Sequence, residues 1–542
     1  MGEKTGIRKW LPLVVMAAAL FIIVLDTTIL NVSIRAIIGD LHTNLKAVQW
    51  VITGYSLMLA AFTITGGRLG DTFGRKRMFL IGACVFALGS LSASVAHSAP
   101  MLMVSVSLVE GAGAAMMMPA TASLLLSEYR GKDRAIAFGV WGALAGAAAT
   151  IGPLVGGWLT THYSWRWNYL INPFVVLLLL AGSRTIQESR ERDPHRPDIF
   201  SIVLSAIGLS STVYGIIESS TYGWVKAKMA YEIFGHHFGL HGVSISLYAI
   251  TIGVLFIAGF VWRQRTLARR GRVPLVSPLL LKNRQFVSGV SVVAIAAMTQ
   301  MGLVFVLPVL LQGMLGKDAF HAGLAMLPFS LAVLVAAPLA GVLAGKKNVP
   351  PRYLIQIGFV GVLAGALLLR SEVTVLATTR HLVPGMALFG LGFGLAFSQL
   401  ANLTLSAVSV EEAGEASGVN NTFRQVGASL GQALIGALLI AALTSQLRSD
   451  VTASGVVLPA AKPQLTADIT AAASSLGTNN GAGGVLPPQA AAEVTRIKNH
   501  AIVSGVRTGM FATIGAAVFA LLLSTQLPKR SKRAEDVDAS SQ

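Results

Sequence analysis

About fourteen separate apolar stretches run through the chain, each roughly 18 to 25 residues long and so able to cross a hydrocarbon core of about 30 Å as a helix. They fall near 11–34, 48–69, 78–97, 101–124, 135–161, 167–183, 199–218, 242–262, 285–312, 319–345, 353–370, 381–404, 417–444 and 504–527. Backbone polar groups in hydrocarbon need partners inside the chain, which a helix supplies within each segment. The expected fold class is therefore an all-α polytopic membrane protein. With 54% apolar and only 12% charged residues, the 542-residue chain has too little polarity for a soluble protein of this size.

The basic residues set an orientation. With both termini cytoplasmic, inner loops and tails carry 28 Lys and Arg against 13 outside, and Arg424 is left within a helix. That is the positive-inside bias. The largest inner clusters are Arg263, Arg265, Arg269, Arg270, Arg272, Lys282 and Arg284, and the tail residues Lys529, Arg530, Lys532 and Arg533. The net charge of +18 thus reads as orientation and contact with anionic membrane lipids. No separate basic domain points to nucleic acid. Cys84 is the single cysteine, which excludes an internal disulfide or a thiolate metal site. The first segment is long, contains Asp26 and lacks a small-residue cleavage site after a short apolar core, so it reads as a retained helix, not a signal peptide.

Between the second and third segments stands Gly66-Gly-Arg-Leu-Gly-Asp-Thr-Phe-Gly-Arg-Lys-Arg77. Arg68, Arg75, Lys76 and Arg77 place it in a tight cytoplasmic loop. Asp71 can accept hydrogen bonds from a helix N-terminus or an arginine in one conformation and release them in another, while Gly67 and Gly74 permit close backbone approach. Gly67, Asp71, Gly74, Arg75 and Lys76 are therefore candidates for a conformational latch. A plain basic loop would explain the cations, but not the position of Asp71 or the glycines. The block resembles the signature loop of the major facilitator superfamily, Gly-x-Leu-x-Asp-x-x-Gly-Arg-Lys, matched at Gly67, Leu69, Asp71, Gly74, Arg75 and Lys76.

That resemblance implies the major facilitator fold, two six-helix bundles rocking around a midplane site. Fourteen segments divide as six, two and six, with two helices inserted between the bundles, as in the fourteen-span drug:proton antiporter branch. The expected units are an N-terminal bundle at 1–198, two inserted helices with an outer loop at 199–263 and a cytoplasmic basic linker at 264–284. The C-terminal bundle follows at 285–528, including a flexible outer loop at 445–500 that holds a short helix, and then the cytoplasmic tail at 529–542. The loop is rich in Ala, Ser, Thr, Gly and Pro. The segment between helices ten and eleven, Gly341-Val-Leu-Ala-Gly-Lys-Lys347, echoes the first loop without its aspartate.

Asp26, in Val24-Leu-Asp-Thr-Thr-Ile-Leu-Asn-Val32, sits well inside the first segment. A charge there costs about 2.5 to 3.5 kcal/mol on insertion scales, and intramembrane acids usually mark ion paths. Burial favours the neutral acid, which suits a group that gains and loses protons near neutrality. The bland reading is a buried aspartate beside Thr27 and Asn31 in a kinked helix. The surroundings also resemble the Leu-Asp-x-Thr-Ile-x-Asn-Val motif of the fourteen-span antiporters, matched at Leu25, Asp26, Thr28, Ile29, Asn31 and Val32. Glu110, in the fourth segment, lies at a similar depth, about 13 Å from the outer end against about 12 Å for Asp26 at 1.5 Å per residue. Both are candidates for proton coupling, and two carboxylates at one depth can titrate as a pair. Here the chain departs from the family, whose fourth-helix pattern is Arg-x-x-Gln-Gly-x-Gly-Ala. Ser107 takes the arginine position and Glu110 the glutamine position, so an arginine-centred relay does not carry over. Glu110 then either serves protons or a cation, or is paired structurally with another helix.

Arg424, in Asn420-Asn-Thr-Phe-Arg-Gln-Val-Gly427, lies about 10 Å into the thirteenth segment. Either it pairs with Glu415, Glu411 or helix-end carbonyls as an inner gate, or it snorkels to the interface. In the fifth segment, the spacing of Gly142, Gly152, Gly156 and Gly157 strips one face of side chains, and Pro153 interrupts the hydrogen-bond ladder. The expected result is a bent helix that neighbours approach closely. Tight packing alone is the bland reading, but these residues match the antiporter signature of exporters in the superfamily. Trp165-Arg-Trp-Asn-Tyr-Leu-Ile-Asn172 resembles the run opening helix six of the same branch, as do Trp50 and Tyr55 in helix two.

The resemblance therefore implies a proton-coupled exporter working by alternating access, with small-molecule substrates, protons and membrane lipids as partners. Some dication exporters of this branch carry an acid in helix ten; none lies between 320 and 345 here, so the resemblance implies lipophilic neutral or monocationic cargo and not doubly charged cargo. Export of an endogenous lipid, siderophore or metabolite is the alternative, since fold does not fix cargo. Enzymatic readings are weak. His236, His237 and His241 could be offered as metal ligands, since positions 237 and 241 share a helical face, but no Glu or Asp stands nearby in a metalloprotease arrangement, and no phosphate-binding glycine loop is present. No cofactor or metal is expected. A monomer in the bacterial inner (plasma) membrane is the expected form.

Overall fold

The computed structural model describes residues 6–43, 45–190, 197–227, 231–233, 236–238, 242–347, 349–454 and 488–528. Within them, the apolar stretches become long helices: α1 (Leu11–Asp40), α2 (Leu45–Phe73), α3 (Arg75–Ser94), α4 (Ala99–Glu128), α5 (Gly131–His162), α6 (Arg166–Gly182) and α7 (Ile199–Tyr222). There follow α8 (Ile245–Arg269), α9 (Arg284–Gly313), α10 (Leu327–Gly345), α11 (Pro351–Glu372), α12 (Thr379–Leu405), α13 (Ala413–Ala453) and α14 (Pro488–Ser524). Among the described residues, twelve helices are long and apolar enough to cross a membrane, or thirteen when the bent α5 counts as one span; α6, at 17 residues, is shorter. Leu177, Leu178, Leu255, Ile357 and Phe511 are among many large apolar side chains left on the outer surface, as expected where lipid is the solvent. The protein is a multi-pass membrane protein with an all-helical core.

Several boundaries depart from the apolar segments. The predicted loop between helices two and three shrinks to Gly74, because Gly66–Phe73 completes α2 and Arg75 opens α3. Gly74 supports this break with φ 107°, a conformation open chiefly to glycine. The outer loop predicted at 445–500 is helical at both ends, since α13 runs to Ala453 and α14 starts at Pro488. Those ends hold polar contacts across the pair, with His500 Nδ1 3.5 Å from Asp450 Oδ2. The middle of the loop and the tail from 529 lie outside the described residues. The tenth segment breaks at Met326 into a short helix, Ala319–Ala325, and α10, where Pro328 has no N–H to continue the ladder. Tyr231–Ile233 and His236–Phe238 pair as an antiparallel hairpin, so His237 stands on a strand and not on the helical face considered for His237 and His241; His241 lies outside the described residues.

Two departures from regular helix bear on the site. α5 bends by 44° between Ala148 and Ile151, just before Pro153, whose missing N–H frees a carbonyl in that turn. Within α4, Met103–Glu110 is a π-helix that ends at Glu110. Such single-turn insertions shift the register of the side chains that follow.

Helices α1 to α4 and α6 pack mainly among themselves, and so do α9 to α14, whereas α5 packs on α1 and more extensively on α10 and α12. Contacts between the groups run through α5 against α10 and α12, and through α2 and α4 against α13. α7 and α8 form a pair whose α7 lies on α2 and α13, with Trp50 stacked on Tyr214 at 5.7 Å. Asp198 caps α7 through the Ser201 N–H and binds Arg263 of α8, Nη2 to Oδ1 at 3.0 Å.

Candidate functional site

At the end that carries Arg75, Lys76 and Arg77, the helices close on a buried carboxylate. Asp71, in the last turn of α2, is fully buried. Its Oδ1 accepts from Arg75 Nε (2.9 Å) and Nη2 (2.7 Å) and from the Gly414 N–H (3.1 Å), and its Oδ2 from the Glu415 N–H (2.8 Å). Both donors foreseen for Asp71, an arginine and a helix N-terminus, act on it together. The first N–H groups of α13 lack partners in their own helix, and that end of the dipole favours an anion. Arg75 Nη2 also donates to the Glu411 carbonyl (2.9 Å) and to the Val410 carbonyl, so one guanidinium spans α3 and the turn before α13. Gly67 presses against Gly414; a Cβ there would strike the Gly414 carbonyl. Lys76 points elsewhere, Nζ to the Ile186 carbonyl at 2.9 Å.

Glu188, not singled out from the sequence, completes this end. Its carboxylate accepts from the Lys76 and Arg77 amides (3.0 and 3.1 Å), occupying the open N-terminus of α3, and it lies against the space a Gly74 side chain would fill. Glu415 likewise reaches beyond its helix, accepting from the Ser277 N–H in the basic linker at 2.5 Å.

The two intramembrane acids meet deep among α1, α3, α4 and α6. Asp26 and Glu110 are 4% and 0% exposed. Asn172 Nδ2 lies 3.2 Å from Asp26 Oδ1, 3.2 Å from Glu110 Oε1 and 2.9 Å from Ser90 Oγ. Ser90 also donates to Glu110. One amide thus touches both carboxylates and the hydroxyl that serves one of them. Gly89 makes this possible, because a Cβ there would fall 2.5 Å from the Glu110 nitrogen and hold α3 away. Tyr55 and Tyr169, both buried, lie within electrostatic reach of both acids. Asn172 belongs to the run 165–172 but carried no role in the sequence reading. Its signal was the repeat Asn168, Asn172 at i, i+4, which puts two amides on one face of an apolar helix. The side chain of Asn31 lies outside the described positions.

The missing fourth-helix arginine has a structural counterpart. Ser107 is buried against Gly54 of α2, where a Cβ on Gly54 would meet it at 2.7 Å, and Ser107 Oγ donates to the Val51 carbonyl at 2.9 Å. A long cation has no room there. Glu110, three residues on, faces the other side of α4 toward α3 and α6.

Arg424 departs from expectation. Its Nη2 lies 3.3 Å from Met118 Sδ, while the nominated Glu415 turns to Ser277 and the Glu411 carbonyl to Arg75. The position is too deep in α13 to meet groups held at the helix start. The glycines of α5 divide by level. Gly152 and Gly156 lie against α1, a Cβ on Gly152 meeting the Thr28 hydroxyl and one on Gly156 meeting Ile29 at 3.1 Å. Gly142 faces Ser398 of α12 at 3.1 Å, and the buried Gly157 accepts from Thr161 Oγ1 at 2.7 Å through its carbonyl. α5 therefore touches the helix of Asp26 through its C-terminal half, which also meets the short helix Ala319–Ala325 at Leu154, and touches α12 through its N-terminal half.

The chain is 31% identical over 460 residues to the probable actinorhodin transporter of Streptomyces coelicolor, covering 83% of this chain and 76% of that protein. It is 30% identical over 509 residues to the multidrug efflux pump LfrA of Mycolicibacterium smegmatis, with 93% of each chain covered. The fold matches that of the human organic anion transporter MFSD10 with a TM-score of 0.56 at 9% identity, over 95% of this chain and 99% of the other. The sequence profile described as Major Facilitator Superfamily matches residues 16–432, and the chain belongs to that family of membrane transporters.

Proposed function

We propose that the protein is a proton-coupled antiporter that exports lipophilic neutral or monocationic compounds across the bacterial inner membrane, with both termini cytoplasmic and the chain acting as a monomer. One observation carries the proton part: two buried acids, Asp26 and Glu110, share the Asn172 amide among apolar helices. Two like charges this close disfavour joint ionisation, so the pair binds at least one proton, and movement of α6 relative to α1 and α4 changes how strongly it is held. The likeness to a multidrug efflux pump and to a probable actinorhodin transporter supports export as the direction and drugs as cargo.

In this reading α1–α6 and α9–α14 are the moving bundles, α7 and α8 the inserted pair, and residues 264–284 the linker. The ties from Asp71 and Arg75 to α13 hold the inner face shut. Each inward proton yields about 2.3 kcal/mol per 100 mV, so one-for-one exchange with a neutral compound sustains roughly a fifty-fold gradient. The test uses liposomes with an acidic lumen, following proton release and ethidium uptake for wild type, Asp26→Asn and Glu110→Gln. Dye-linked proton release by wild type that is lost in a variant supports the reading and identifies the carrier. Wild-type liposomes that take up no dye and release no protons sink drug antiport and turn the search to a lipid or metabolite cargo.

A further inference from the structure

One turn outward along α6 from Asn172, a second buried amide repeats the arrangement. Asn168 Nδ2 donates to Ser33 Oγ of α1 (2.8 Å) and to Thr160 Oγ1 of α5 (3.0 Å), and the two hydroxyls lie 2.9 Å apart. Asn168 and Ser33 are each 1% exposed, whereas Thr160 is half-buried and opens toward the outer end of α5. Neither amide oxygen, Asn168 Oδ1 nor Asn172 Oδ1, has a partner among the described residues, although both are buried. A buried acceptor of this kind is costly unless it is used intermittently. The two amides are about 6 Å apart along the helix axis, a gap one or two water molecules can bridge.

We infer that Thr160, Ser33 and Asn168 form the outer proton inlet of the carrier, leading from the extracellular face to Asp26 and Glu110. This rests on the proton-antiport reading above. Each hydroxyl accepts one proton on its oxygen and passes on its own, so no charge remains on Thr160 or Ser33, and Asp26 or Glu110 is the final acceptor. Asn168 is a positioning residue. By donating to both oxygens it holds the two hydroxyls in the 2.9 Å pair through which the proton passes, and its own buried Oδ1 has no partner among the described residues. Among the described residues, the charged groups at the mouth include Asp40 and Arg166, which pair with each other, His42 near Asp40 and the exposed His162; deeper in are Asp26, Glu110, Tyr55 and Tyr169.

The arrangement makes proton transfer separable from substrate movement. In liposomes, proton-driven dye uptake needs the inlet, whereas exchange of labelled for unlabelled dye without a proton gradient does not. Thr160→Val keeps the shape of a half-buried residue and removes the hydroxyl, while Thr160→Ser keeps the hydroxyl. Thr160→Val should lower proton-driven uptake at least fivefold with exchange unchanged, Thr160→Ser should restore it, and Ser33→Ala should repeat the loss. Wild-type rates of proton-driven uptake in Thr160→Val and in the Thr160→Val, Ser33→Ala double variant overturn the inlet while leaving antiport intact. A wild type that exchanges dye but releases no protons overturns antiport itself, and the inlet with it.

Discussion

Asp71 Oδ2 accepts a 2.8 Å hydrogen bond from the Glu415 N–H, while the Glu415 carboxylate accepts one from the Ser277 N–H. Residues 344 positions apart are thus joined, and the second hands the connection on to the basic linker. A single contact chain ties the end of α2, the start of α13 and the segment before α9.

Replacing Asp71 by Asn keeps its shape but leaves Arg75, 1% exposed, without its countercharge. Losing one member of a buried pair costs about 3–5 kcal/mol. The closed inner face should lose most of its population. Labelling of a cysteine at Ser417 by a membrane-impermeant maleimide from the cytoplasmic side, in a Cys84→Ser background, should rise at least tenfold in Asp71→Asn. Unchanged labelling would mean that other contacts hold the closure.

Gly67→Ala introduces a methyl group aimed at the Gly414 carbonyl. Backbone cannot retreat as a flexible side chain can, so overpacking of about 1–3 kcal/mol is expected. Export should fall and cytoplasmic labelling at 417 should rise, with folded yield kept because the clash exists only in the closed form. A loss of yield equal to the loss of transport would place the damage in folding instead.

The helix-four position offers a reciprocal test. Ser107→Arg restores the residue type of the family pattern, yet Ser107 is packed against Gly54 and bonded to the Val51 carbonyl. We expect a drop of several degrees in Tm and no gain in coupling. A stable, active Ser107→Arg protein would show that α2 and α4 can part enough to admit the cation.

Asp198 provides a pH signature away from the membrane interior. The Arg263 hydrogen bonds hold its carboxyl down at about 2, below the ordinary 3.8. A depressed acid contributes its stabilisation above its unfolded value and loses it as pH falls toward the folded one. The Tm advantage of wild type over Asp198→Asn should therefore be constant from pH 8 to about 5 and shrink between about 4 and 2. An advantage that persists at pH 2 would assign it to the α7 cap geometry and not to the charge.

The Gly66–Arg77 block was legible because hydrocarbon tolerates no cluster of four cations, so Arg68, Arg75, Lys76 and Arg77 mark the end of a span, although Arg68 and Arg75 are themselves buried there. Asp26 and Glu110 were legible for the converse reason, as charges where none is cheap. Asn172 and Ser90 were not, because a neutral amide and a hydroxyl cost too little in an apolar helix to stand out. Their meeting depends on Gly89 letting α3 approach α4, a distance no local pattern encodes. Glu188 was hidden by more than a hundred intervening residues, and the π-helical turn before Glu110 has no marker in Met103–Glu110 itself. The contact of Arg424 was not legible, because the acids nearest to it in sequence, Glu415 and Glu411, lie about two and a half turns or more before it, while Met118, which it meets, is on another helix.

The donors around Asp71 are two peptide N–H groups and one buried guanidinium. Mobile ions screen charges that face water, with a Debye length near 8 Å at physiological strength, but reach poorly into such a pocket. The resting balance between inner-closed and inner-open forms should therefore stay nearly constant as the cytoplasm swells, shrinks or takes up potassium. The tightness of this closure would thus hold under osmotic stress and not drift with the salt around the transporter.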